Sequence, residues 1–99
     1  MILASATLDD LNDRMILRVP GNNTARRLFI ANRAATTARF RVWLVPRDAV
    51  RGDQHVVAYD MALLAGTTEV WPEDEFNLDN QEEIWARTNT AGVSVTVMS

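Results

Sequence analysis

One imidazole, three indoles and ten guanidiniums are the side chains through which this 99-residue chain could do chemistry. His55 is the single histidine, and a nucleophile–base pair would need it beside a hydroxyl. Ser5, Ser94 and Ser99 lie in or next to strand-like runs, with no glycine-rich elbow ahead of them. The absence of cysteine removes thiolate nucleophiles, disulfides and cysteine metal sites. Zinc would have to be held by His55 and carboxylates alone. The carboxylates Asp9, Asp10 and Asp13, and the run Glu73, Asp74, Glu75, Asp79, Glu82, Glu83, lack the alternating ligands and central glycine of an EF-hand loop. A solvated or partner-facing acidic edge is the default reading of that run, with a calcium-holding loop as the lesser one. The expectation is a non-enzyme with no catalytic residue, no metal and no cofactor.

The indoles and guanidiniums are more informative. All ten basic residues are arginine, with no lysine. Codon usage explains such a bias, and so does a surface held in contact with another protein, where Arg is enriched and Lys depleted. Residues 1–51 carry a balance of +5 and residues 52–99 a balance of −8, which gives the net −3. That overall balance argues against nucleic acid as a partner. Trp43 lies two residues from Arg41, Trp85 two from Arg87 and Trp71 two from Glu69. Each is expected on an outer face, opposite an aliphatic one. Two readings follow. The indoles pack over cross-strand neighbours and stack with Arg, or they anchor a protein interface, since Trp and Arg concentrate binding energy. On the second reading the interface residues are Arg39, Arg41, Trp43, Trp71, Glu73, Asp74, Glu75, Trp85 and Arg87. The Arg-rich segment 26–51 and the acidic segment 69–83 then either neutralise each other within one chain or meet across an interface.

The elements that must position these groups are strands. Apolar residues alternate almost everywhere: Phe40, Val42, Leu44 against Arg39, Arg41, Trp43; Val93, Val95, Val97 against Ser94, Thr96, Met98; Met15, Leu17, Val19 against Arg14, Ile16, Arg18. Turn signals interrupt them at Pro20-Gly21-Asn22-Asn23, Ala34 to Thr37, Pro46 to Gln54, Ala65-Gly66, Pro72-Glu73-Asp74 and Asn89 to Gly92. The glycosylation sequon Asn22-Asn23-Thr24 reads as a chance match inside the first of these turns. Strands are expected near 2–7, 14–20, 26–33, 38–46, 55–63, 67–71, 83–88 and 92–98. A short helical turn over Leu8 to Met15, capped by Thr7, is the weaker rival for that stretch. The fold expected is all-β, a single antiparallel β-sandwich of jelly-roll or immunoglobulin-like type, one domain over residues 1–99. No apolar run is long enough to span a bilayer as a helix, and Met1 to Leu17 does not read as a secretory signal, so no membrane partner is expected.

The order and spacing of these strands and turns resembles the small β-sandwich virion proteins encoded among the head and tail genes of tailed bacteriophages. The resemblance is carried by Val19-Pro20-Gly21-Asn22-Asn23-Thr24, Ile30-Ala31-Asn32-Arg33, Phe40-Arg41-Val42-Trp43-Leu44-Val45-Pro46, His55 to Asp60, Leu64 to Glu69, Ile84-Trp85-Ala86-Arg87-Thr88 and Val93 to Val97. Asp79-Asn80-Gln81-Glu82 departs from it, standing where relatives show a Gly-Asp turn. It implies a non-enzymatic virion component present in many identical copies, made in the bacterial cytoplasm, with other virion proteins (major capsid or tail proteins) and copies of itself as partners. A capsid decoration, or cement, protein is the first expectation and a neck, tail or baseplate accessory the second. A glycan-binding module using the indoles as stacking platforms is the alternative of another class.

Overall fold

The computed structural model describes residues 1–8, 12–73 and 76–99. Among them are eight strands: β1 (Ile2–Leu8), β2 (Arg14–Arg18), β3 (Arg27–Asn32), β4 (Ala38–Val45), β5 (Val56–Leu63), β6 (Thr68–Trp71), β7 (Glu83–Thr88) and β8 (Val93–Met98). A single 3₁₀ turn, Asp53–His55, leads into β5. The helical turn considered for Leu8 to Met15 does not form at its ends, since Leu8 closes β1 and Met15 lies in β2; residues 9–11 are outside the described set.

Every pairing is antiparallel, and the order is nested: β1 with β8, β2 with β7, β3 with β6, β4 with β5. The pairs β3–β8 and β4–β7 join these arms into two four-stranded sheets, β1-β8-β3-β6 and β2-β7-β4-β5. This is one long hairpin rolled on itself, the jelly roll. An immunoglobulin-like sandwich would pair the first two strands in one sheet. Here β1 and β2 belong to different sheets, so of the two expected architectures it is the jelly roll that forms.

The alternation seen in the sequence becomes the core. Leu28 and Ile30 of β3 and Val93, Val95 and Val97 of β8 face Phe40 and Val42 of β4 and Ile84 and Ala86 of β7, all buried. Leu44, near the end of β4, packs against this core while remaining partly exposed. One end is closed by the β6–β7 connection, where Leu78 and Ala25 exchange two backbone hydrogen bonds of 2.8 Å and Phe76 is buried.

The turns use backbone that only a few residues adopt without strain. Gly66 (φ 74°) and Gly92 (φ 90°) take left-handed positions in the β5–β6 and β7–β8 turns. Asn32, at the end of β3, is 1% exposed and ties three segments together. Its Nδ2 donates to the carbonyls of Thr36 and Leu63, both at 2.9 Å, and its Oδ1 accepts the Ala34 N–H at 2.9 Å.

Three register shifts matter for the outer surface. In β2, Met15 opposes Trp85 while Leu17 opposes Ile84, so one residue is extra and the face changes between them. In β5, Met61 opposes Phe40 but Ala58 opposes Val42, which sets Tyr59 and Asp60 together against Arg41, with Asp60 at φ 50°. A second shift follows between Val42 and Trp43.

Candidate functional site

The outer face of the β2-β7-β4-β5 sheet gathers Arg41, Trp43, Trp85 and Arg87, four of the residues expected at an interface, with Arg39 beside them at the β4–β5 edge. Strand register explains why. Arg41 stands directly opposite Arg87, and Trp43 directly opposite Trp85. Two facing arginines repel, so this placement is costly unless carboxylates flank it. They do. Asp60 receives both Nε (2.6 Å) and Nη2 (3.1 Å) of Arg41, and the Tyr59 ring lies 4.2 Å from the same guanidinium. On the other flank Asp13 pairs with Arg51 at 2.8 Å and reaches Arg87 only at 3.8 Å. The result is a row Asp13–Arg87–Arg41–Asp60 across the sheet. The paired charge holds the Asp60 carboxyl below the usual carboxylate range, Arg41's hydrogen bond being the largest cause, and raises the Arg41 guanidinium.

Beneath that row lies the indole pair. Arg51, from the β4–β5 connection, crosses over both rings, its guanidinium 4.9 Å from Trp43 and 4.8 Å from Trp85. A cation stacked on two ring faces and anchored to Asp13 makes a lid. Trp43 beneath it, flanked by Trp85 and Val56, is 5% exposed. A third row completes the face: Glu83 accepts the Trp85 Nε1–H at 2.9 Å and the Arg18 Nε–H at 2.9 Å. The Trp85 hydrogen bond first, and Arg18 after it, hold the Glu83 carboxyl below its ordinary value against the opposing effect of burial.

Several expectations are corrected here. Trp43 sits on an outer face covered by Arg51, which is the stacking arrangement of the two readings of the indoles. Trp71 is not on an outer face at all. It opposes Leu28 and packs against the core, while Val70 points outward and is 46% exposed. Glu83 belongs to the Trp85 row on this sheet and not to a continuous acidic edge. Glu82 is likewise occupied, its Oε1 accepting the Asp79 N–H at 2.8 Å. Glu73 is exposed after β6, lining a shallow groove with Arg27, Pro72 and Asn77, away from the arginine face. Asp74 and Glu75 are outside the described residues. His55 lies in the 3₁₀ turn and not in a strand. Its Nδ1 accepts the Gly52 N–H at 3.0 Å, a turn-closing bond.

Asp13, Arg51, Tyr59, Asp60 and Glu83 complete the face, and none was singled out for it from the sequence. Only Glu83, two residues before Trp85, carried a local signal. Tyr59 and Asp60 arrive through the β5 bulge and Arg51 from the β4–β5 connection, whereas Asp13 directly precedes β2. Between the two ends of charge, within-chain pairing takes up Arg18, Arg41 and Arg51, whereas Arg39 has no carboxylate partner among the described residues.

Around this face the β5–β6 side of the sandwich is open. Val57, Tyr59 and Met61 on the edge strand β5 are 53%, 65% and 41% exposed, and Leu64 in the following turn is 63% exposed. On the opposite side Arg14 Nη1 donates to the Thr7 carbonyl at 3.0 Å, tying β2 to β1. Comparison with protein-family models, with curated proteins and with solved structures yields no significant match for this chain.

Proposed function

We propose that this protein is a structural interaction module, and specifically a component of a tailed-phage virion, with capsid decoration ahead of a neck, tail or baseplate position. The single observation that supports an interaction role most directly is the β5 edge. An eight-residue edge strand that leaves Val57, Tyr59 and Met61 to solvent beside Leu64 is an apolar rim of the kind that marks protein–protein contact. Its two register shifts and the left-handed Asp60 make it a poor template for indiscriminate strand addition, so the rim favours side-chain docking by a specific partner. The jelly roll supports the virion reading as an architecture used in capsid proteins. The strand-and-turn resemblance to small phage virion proteins supplies the rest.

The test is quantitative mass spectrometry of purified particles produced by the replicon that encodes the chain, with its density located in a particle reconstruction. A copy number in step with the major capsid protein is the result expected for decoration. A low number matching tail symmetry moves the protein to the neck or tail. Absence from purified particles overturns the reading.

A further inference from the structure

A dimple of about 160 Å³ opens on the arginine face between β4, β5 and the end of β7, lined by Arg39, Arg41, Asp60, Arg87, Thr88 and Asn89. The donors around it are unequally used. Arg41 spends Nε and Nη2 on the Asp60 carboxylate. Arg39 gives Nη1 to the Asp60 main-chain carbonyl at 3.1 Å, a neutral acceptor, and pairs with no carboxylate among the described residues. Arg87 lies 3.8 Å from Asp13 Oδ1, beyond hydrogen-bond range, while Arg51 pairs with Oδ2 of the same carboxylate at 2.8 Å. The Asn89 Oδ1 accepts the Arg39 N–H at 2.8 Å, which leaves the Asn89 Nδ2 as a further donor. Among the described residues, neither Arg39 nor Arg87 thus hydrogen-bonds a carboxylate, and both stand at one small polar depression.

We propose that Arg39, Arg87 and Asn89 form a binding site for one carboxylate, the side chain of a Glu or Asp on the partner protein. The assignment rests on the interaction reading above and deepens it. Guanidinium forks match a planar carboxylate in two parallel hydrogen bonds. The Asp60 carboxylate on the same wall repels a phosphate dianion more strongly than a monoanion. The neighbouring chemistry agrees: on the dimple's own face Arg39 opposes Ala62, and Tyr59, 65% exposed, lies against Arg41, so a partner's acidic residue flanked by apolar ones would fill dimple and rim together.

The experiment is a titration of the isotope-labelled full chain with sodium acetate, followed through the arginine Nε–H and asparagine side-chain resonances at constant ionic strength set with sodium chloride. Inorganic phosphate serves as the second probe. Saturable shifts confined to Arg39, Arg87 and Asn89 are expected, with acetate bound more tightly than phosphate. Arg39→Gln and Arg87→Ala should each weaken acetate binding about tenfold, whereas Arg33→Ala, at an exposed arginine elsewhere, should leave it unchanged. Arg39→Gln keeps a long polar side chain at an exposed position and so reads the charge without disturbing the fold. Shifts that do not saturate, tighter binding of phosphate, or equal weakening by Arg33→Ala each overturn the site. Because acetate is a free ligand, this outcome is independent of the particle copy count that tests the virion reading.

Discussion

Asn32 carries more of this fold than its place in a strand suggests. Its amide satisfies two carbonyls and one N–H from the segments around residues 34–36 and 63, all in a setting where water has little access. Asn32→Ala leaves those three groups without partners and should cost about 3 kcal/mol, measured by urea unfolding. An unchanged denaturation midpoint would show that solvent or other groups replace the amide. The carboxylates make a second residue-scale case. Asp60 and Glu83 have folded values below their unfolded ones, so each releases its proton more readily when folded. Their stabilisation is fully present above the ordinary carboxylate range and is lost as pH falls through the lower folded values. Stability should therefore drop below about pH 4–5, and Glu83→Gln should flatten that dependence. Identical pH profiles for wild type and variant would mean that Glu83 is not coupled to Trp85 and Arg18 as the structure has it.

At the scale of elements, the bulge in β5 is what builds the outer face. By setting two residues against one, it turns both Tyr59 and Asp60 toward Arg41, giving that guanidinium an aromatic face and a carboxylate at once. The β4–β5 connection then lays Arg51 over the indole pair. Removing that cover should uncover the rings without unfolding the sandwich. Arg51→Ala is expected to shift tryptophan fluorescence to longer wavelength and raise its quenching by iodide, with a stability loss of only about 1 kcal/mol. No change in quenching would mean that Arg51 does not shield Trp43. Trp71, on the inner side of β6 in the other sheet, should not respond.

For the whole molecule, the nested pairing makes each core strand depend on the rest. Phe40 is 2% exposed at the centre, among residues drawn from both sheets. Phe40→Ala should cost about 3–5 kcal/mol, a large share of what a domain of this size holds. A melting temperature equal to wild type would be incompatible with this register. His55→Ala, by contrast, removes one turn-closing acceptor and should leave the sandwich folded with about 1 kcal/mol lost on urea unfolding. A loss as large as that of Phe40→Ala would give that imidazole a role beyond its turn.

The eight strands, their turns and the inward faces of β4 and β8 were all legible in the sequence, because a strand exposes its faces with a period of two and its turns demand Gly, Pro, Asn or Asp. What was not legible concerns parity and partnership. Met15 and Leu17 share a face in any regular strand, yet an extra residue in β2 puts one beside Trp85 and the other beside Ile84. Trp71 and Val70 could each have been the inward residue of β6, and only pairing with Leu28 and Phe29 of β3 decides it. The same holds for Asp60 against Arg41 and Arg51 over the indoles. Alternation is a local property that each strand carries alone. Which sheet it joins, where its register slips and which charges it thereby brings together are settled by contacts between residues as distant as Ser5 and Thr96, which meet only when the hairpin rolls up.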